Sequence, residues 1–126
     1  MKAILLTILV SLGVSVFAED VDPWRHQDVL IAAIKVGLSN DQQPRFRGAV
    51  TEFLQGYGAD VNKLLRGNDQ TNLPRKINRK RSQRVKAMDK QMAGFLSEEQ
   101  LPAYHVYRDT VLEKMDERAK QRRRRR

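Results

Sequence analysis

The chain contains no cysteine, two histidines and few aromatics: one Trp, three Tyr and four Phe in 126 residues. Without cysteine there is no disulfide framework, no thiolate nucleophile and no Cys-based metal site. His26 and His105 lie far apart, and neither has a second His or Cys at ligand spacing, so the usual zinc patterns are missing. His105, next to Tyr104, reads as a surface or boundary residue. No Gly-rich phosphate loop follows a strand, and no segment reads as a strand at all. Ser39 and Ser97 are accounted for as helix caps. Glu98 and Glu99 are first-turn acids that suit the helix dipole, and Glu113, Asp116 and Glu117 form a solvated patch. The expectation is a protein with no catalytic residues, no cofactor and no metal. The one residual metal option is Cu(I) on the i,i+4 pair Met88 and Met92.

Long apolar runs are also scarce, and the single one is informative. Met1-Lys2 supplies a positive start, Ala3 to Phe17 is apolar or small throughout, and Val16-Phe17-Ala18 has the spacing that signal peptidase accepts. Residues 1–18 are therefore expected to be a signal peptide, with cleavage leaving 126 − 18 = 108 residues that begin Glu19-Asp20. The competing reading is an uncleaved anchor, because the run falls only slightly short of the ~18 to 20 residues needed to span a bilayer. A mature chain of this length is expected to form one helical domain, 19–120. Its high surface-to-volume ratio limits the dry core, and a dimer would supply the missing burial.

The formal net charge of +9 is unevenly placed. Arg75 to Lys90 holds eight basic residues against Asp89, and Arg118 to Arg126 holds seven with no acid, so each carries +7. The remainder of the mature chain is 8 − 14 = −6. Anionic partners are expected for those two segments only. Residues 121–126, dominated by five consecutive arginines, read as a self-repelling, disordered tail that could touch anionic lipid.

The most specific pattern is a motif that occurs twice. Leu38-Ser39-Asn40-Asp41-Gln42 is repeated 96 − 38 = 58 residues later as Leu96-Ser97-Glu98-Glu99-Gln100. Each copy has a proline two residues on, Pro44 and Pro102, and leads into an aromatic, Phe46 and Tyr104. A Ser at the N-cap and a Gln three residues later form a capping box, in which two orphan backbone donors are satisfied reciprocally. Leu96 with Leu101 adds a hydrophobic staple in the second copy; the first has Gln43 at that place. Both prolines would then fall at the fifth helical position and tilt the first turn.

A cysteine-free, exported, helical chain with two Leu-Ser-x-x-Gln motifs resembles the Spy/CpxP group of bacterial periplasmic proteins, whose signature is LTxxQ. The resemblance covers about Val29 to Glu117, with Ser39 and Ser97 where the family usually has Thr. It implies a long-helix cradle, commonly an antiparallel homodimer, that binds unfolded clients without ATP or restrains a stress sensor.

Periodicity predicts an all-α fold of about four helices, arranged as a bent hairpin-like cradle. The first runs from Val29 to Val36 and stops at Gly37. The second starts at the Ser39 cap, with Phe46, Val50, Phe53, Tyr57, Val61 and Leu64 on one face down to about Arg66. Gly56 marks a place for bending or fraying. After a Gly67-Asn68-Asp69 loop, the third runs from Leu73 to Phe95 and the fourth from Glu98 to about Lys120, with Tyr104, Tyr107, Val111 and Met115 as its stripe.

In the third helix Ile77, Val85, Met88, Met92 and Phe95 share one side, with Lys76, Lys80 and other basic residues opposite. Arg81 and Arg84 break this sorting, which suggests a half-covered face where their stems lie on apolar surface and their heads reach water. Arg81, Arg84, Met88, Met92, Lys76 and Lys80 are therefore the candidate client-binding residues, methionine supplying adaptable apolar contact and the cations drawing acidic segments. The competing reading is that the methionines are ordinary core.

Nucleic acid is not an expected partner: no helix-turn-helix, zinc module or RNA-binding aromatic signature accompanies the charge. The expected functions are a periplasmic ATP-independent holding chaperone for unfolded envelope proteins, a regulatory adaptor that docks on the acidic sensor domain of an envelope-stress kinase, or a periplasmic metal-responsive protein.

Overall fold

A computed structural model describes residues 23–125 of the chain. The expected signal peptide, the start of the mature chain and Arg126 lie outside the described residues. The described part is all-α: a 3₁₀ turn at Pro23–Arg25 and four helices, α1 (Gln27–Val36), α2 (Gln42–Arg66), α3 (Leu73–Ala93) and α4 (Leu101–Arg124), with no strand among these residues.

The helix ends follow local chemistry. The Nδ1 of His26 accepts the Asp28 backbone N–H at 3.3 Å and caps α1, and Asp28 places a negative charge in its first turn. Gly37 ends the helix with φ 68° and ψ 48°, its N–H donating to the Ile34 carbonyl. That left-handed conformation is open to glycine and costly for most other residues. Asn72, ahead of α3, has φ 55°, which asparagine tolerates better than most residues with a Cβ.

Pro44 is the third residue of α2 and Pro102 the second of α4, not the fifth. Both lie in the first turn, where the missing N–H has no intrahelical partner to lose, so neither helix is forced to tilt. The expected starts at Ser39 and Glu98 are also moved: turns occupy 40–41 and 98–100 before the α-helices begin. At its far end α4 continues through Arg124, past the expected stop near Lys120 and into the arginine run. Arginine is a good helix former, and cations at a helix C-terminus are favoured by the macrodipole, which offsets their mutual repulsion.

The described residues fall into two compact units. The described part of one is 23–40 with 97–125; the other is 41–96. In the first, α1 packs on α4 and on the 3₁₀ turn, burying Val29, Ala32 and Val36 against a stripe of Tyr104, Tyr107 and Val111. Lys114 reaches from α4 to Asp28 of α1 at 3.4 Å and also to Glu117. Burial opposes its charge, but these two carboxylates hold its pKa above the ordinary lysine value. Burial alone pushes the Tyr107 phenol well above its usual range. In the second unit α2 and α3 pack along each other as a hairpin joined through residues 67–72.

Both passages of the chain between units, at 40/41 and 96/97, fall inside a copy of the duplicated motif.

Candidate partner-binding surface on the α2–α3 hairpin

The hairpin has two unlike halves. At its base Gln43, Phe46, Ala49, Phe53, Met88, Met92 and Leu96 are each 7% exposed or less. From Leu54 to Ala87, across the far ends of both helices and their loop, no residue is buried. The apolar side chains in that half (Tyr57, Val61, Leu64, Leu73, Ile77 and Val85) are half-buried, and Leu65 is 52% exposed.

The reason lies in residue size and charge. The base pairs two phenylalanines on α2 with two flexible methionines on α3, which fill irregular space between helices. Towards the tip the facing positions on α3 become Arg84, Arg81 and Ile77, and a guanidinium is not sealed in a dry core. Phe53 and Tyr57 stack at the transition, ring centroids 6.0 Å apart and nearly parallel.

Polar rungs cross the hairpin. Gln91 donates to Glu52 at 2.8 Å on the base side. Further out, Arg84 donates twice to Asp60, from Nε at 2.8 Å and Nη2 at 3.1 Å, a bidentate fork. These bonds hold the Asp60 carboxyl below its ordinary pKa and raise that of Arg84. Gly56 makes room for this pair: a Cβ built there would fall 2.7 Å from the guanidinium carbon. Gly56 is thus a seat for Arg84 in a continuous helix rather than the fraying point the sequence suggests. Near the loop, the Asp69 carboxylate accepts the Thr71 N–H and the Lys76 ammonium, each at 3.0 Å. Thr71 first and Lys76 next lower its pKa to about 2.

The sequence-predicted site residues are therefore dispersed. Met88 and Met92, at 5% and 0% exposure, belong to the sealed base and offer no surface to a client, which corrects the expected role. Their burial follows from lying opposite Phe46, Ala49 and Phe53 on the helix that packs against α3. Arg84 is committed to Asp60 and Lys76 to Asp69. Arg81 is half-buried; Lys80 is exposed and faces outward with Arg75, Arg79, Lys86 and Lys90. Asp60 carries no sequence signal of its own beyond its i,i+4 spacing from Gly56 on α2.

The motif residues are structural. Ser97 and Gln100 form the expected box, the Ser97 N–H donating to Gln100 Oε1 at 3.0 Å and the Gln100 N–H to Ser97 Oγ at 3.3 Å. The amide of Gln100 then donates to the Gly37 carbonyl, and that of Gln42 to the Phe95 carbonyl, both at 2.9 Å. In each case the acceptor is the residue just before the leucine of the other copy, Leu38 or Leu96. Asp41 stands at the α2 N-cap without a side-chain capping bond, as Gln100 does at the α4 N-cap. In the first copy Ser39 is exposed, and Gln43, at the place of the missing staple, is buried with its Nε2 unpaired.

An open groove of about 450 Å³ runs along the base, lined among others by Arg45, Ala49, Glu52, Gln91 and the half-buried Phe95. Comparison of the chain with protein-family models, with curated proteins and with solved structures finds no match.

Proposed function

We propose that the protein is a periplasmic, ATP-independent holding chaperone of the Spy/CpxP kind, which takes extended segments of unfolded envelope proteins on the outer half of the α2–α3 hairpin. The observation that supports this reading is the run from Leu54 to Ala87 without a buried residue, in which half-exposed apolar groups adjoin the basic α3 face. Apolar contact there is shallow and the charge is long-ranged, a combination that favours loose, reversible capture of many acidic, unfolded chains over one tight fit. The reading involves no catalysis.

The test is suppression of aggregation of two unrelated denatured proteins, without nucleotide, by the full chain and by a variant carrying Leu65→Ser and Ile77→Ser. These substitutions fall outside the sealed base, and a circular dichroism spectrum that matches the parent protein shows that the variant remains folded. The expected result is suppression at near-stoichiometric ratios that weakens several-fold in the variant. Equal suppression by both, or none by either, defeats the proposal.

A second reading is supported by the burial of Met88 and Met92, which withdraws the adaptable apolar contact and leaves mostly charge outside. A regulatory adaptor docking its basic α3 face on one acidic sensor domain would fail the aggregation assay. It would bind that domain with an affinity that falls steeply as salt rises.

A further inference from the structure

Two segments carry equal charge, but the structure treats them differently. On α3, Arg84 and Lys76 spend their charge on Asp60 and Asp69, and the exposed cations Arg75, Arg79, Lys80, Lys86 and Lys90 are spread over several turns that also carry Asp89. At the far end of α4, Lys120 and Arg122 to Arg125 are all exposed, and none has an ion-pair partner among the described residues. No acid occurs from Arg118 onward. The segment is a turn of helix made of unneutralised guanidinium groups.

We infer that the Lys120–Arg125 end of α4 is a docking element for an anionic lipid surface. At 100° per residue, Arg122, Arg123, Arg124 and Arg125 step right round the helix axis. A rigid protein partner meets one side of a helix and would leave the others unpaired. A fluid layer of phosphate headgroups rearranges around the helix end and meets every side. Each guanidinium can grip a phosphate through two parallel N–H bonds, which a lysine ammonium cannot do. Neutralisation also relieves the like-charge repulsion between residues three and four apart, such as Arg122 and Arg125. Only Ala119 and Gln121 interrupt the charge, so there is no apolar face to insert. Adsorption is electrostatic, peripheral and reversed by salt.

The test is co-sedimentation of the full chain with vesicles of phosphatidylcholine alone and of equimolar phosphatidylcholine and phosphatidylglycerol, with inorganic polyphosphate as a free-phosphate competitor. One variant carries Arg122→Gln, Arg123→Gln, Arg124→Gln and Arg125→Gln. A charge-matched control carries Arg75→Gln, Arg79→Gln, Lys80→Gln and Lys86→Gln. The expected result is binding to the mixed vesicles only, falling by about 100-fold or more in the α4 variant and by no more than a few-fold in the α3 control. Three outcomes overturn the inference: undiminished binding by the α4 variant, an equal loss in the control, or binding of polyphosphate without binding of vesicles. A circular dichroism spectrum that matches the parent protein shows that each variant remains helical.

Discussion

The two halves of the α2–α3 hairpin are built from the same pair of helices and differ in what fills the space between them. At the base, Phe46 and Phe53 meet Met88 and Met92 and close it to water. At the tip the filling becomes Arg81, Arg84, Ile77 and Val61, and nothing is sealed. The base is held by apolar burial, and the tip by discrete polar rungs in water, each of which contributes little. Arg84, Asp60 and Gly56 mark the border. Apolar side chains sealed at the base cannot face a partner, whereas those of the tip stay in contact with water.

The sharpest way to break that comparison is to excavate each half. Phe53→Ala removes a side chain that is 3% exposed and is expected to cost ~3–5 kcal/mol; Met92→Ala, fully buried, ~2–5 kcal/mol. Leu65→Ala, at 52% exposure, should change stability by no more than about 0.5 kcal/mol. Urea unfolding followed by circular dichroism measures all three. A tip substitution as costly as Phe53→Ala would show that the outer half is sealed in solution, as it would be if covered by another chain.

Much of this frame was legible in the sequence and the decisive part was not. Gly37, Arg66 and Leu73 mark helix ends at the expected places because their signals are local: a left-handed stop, the close of a periodic stripe and a start just before Pro74. The Ser97 and Gln100 box is local too, and it forms. Periodicity also put Met88, Met92 and Ile77 on one face of α3. It could not reveal that the face is dry at one end and wet at the other, since that depends on which α2 residue lies opposite. The Arg84–Asp60 fork joins residues 24 apart, and its seat at Gly56 is meaningful only once the helices are paired. The same limit hid the partnership of α1 with α4, which have the whole hairpin between them in sequence. Like-charge repulsion in the arginine run predicts a disordered tail, whereas helix propensity and the dipole carry α4 to Arg124.

Acid should sharpen the comparison by acting on one half first. Asp69 has its pKa lowered from 3.8 to about 2 in the folded chain, and Asp60 is shifted in the same direction. A depressed carboxylate pKa contributes stability that is complete above the unfolded value and lost as pH falls through the folded one. The tip rungs are therefore expected to weaken between about pH 4 and pH 2, while the base core has no such titration among its buried residues. Amide hydrogen exchange should show protection in 54–87 lower than at the base at neutral pH, and falling further over that window. Loss of protection at Phe46 and Met92 before Val61 and Ile77 would reverse the assignment of strong and weak halves.

The smallest expected effect probes the border itself. Gly56→Ala places a Cβ 2.7 Å from the Arg84 guanidinium carbon and Nη1, and 2.9 Å from its Nε. Those atoms are the far end of a flexible side chain, so they move aside at small cost and the fork to Asp60 is lost. Against that loss, alanine in a helix interior is favoured over glycine by about 1 kcal/mol. The net change in stability should stay within about 1 kcal/mol of zero, and its sign matters less than what it does to a second substitution. In the natural chain Arg84→Gln removes the fork and should destabilise the hairpin. In the Gly56→Ala background the fork is already broken, so Arg84→Gln should have almost no further effect in urea unfolding. If Arg84→Gln costs the same in both backgrounds, the glycine is no seat, and the border between the sealed and open halves is set by the loss of apolar partners alone.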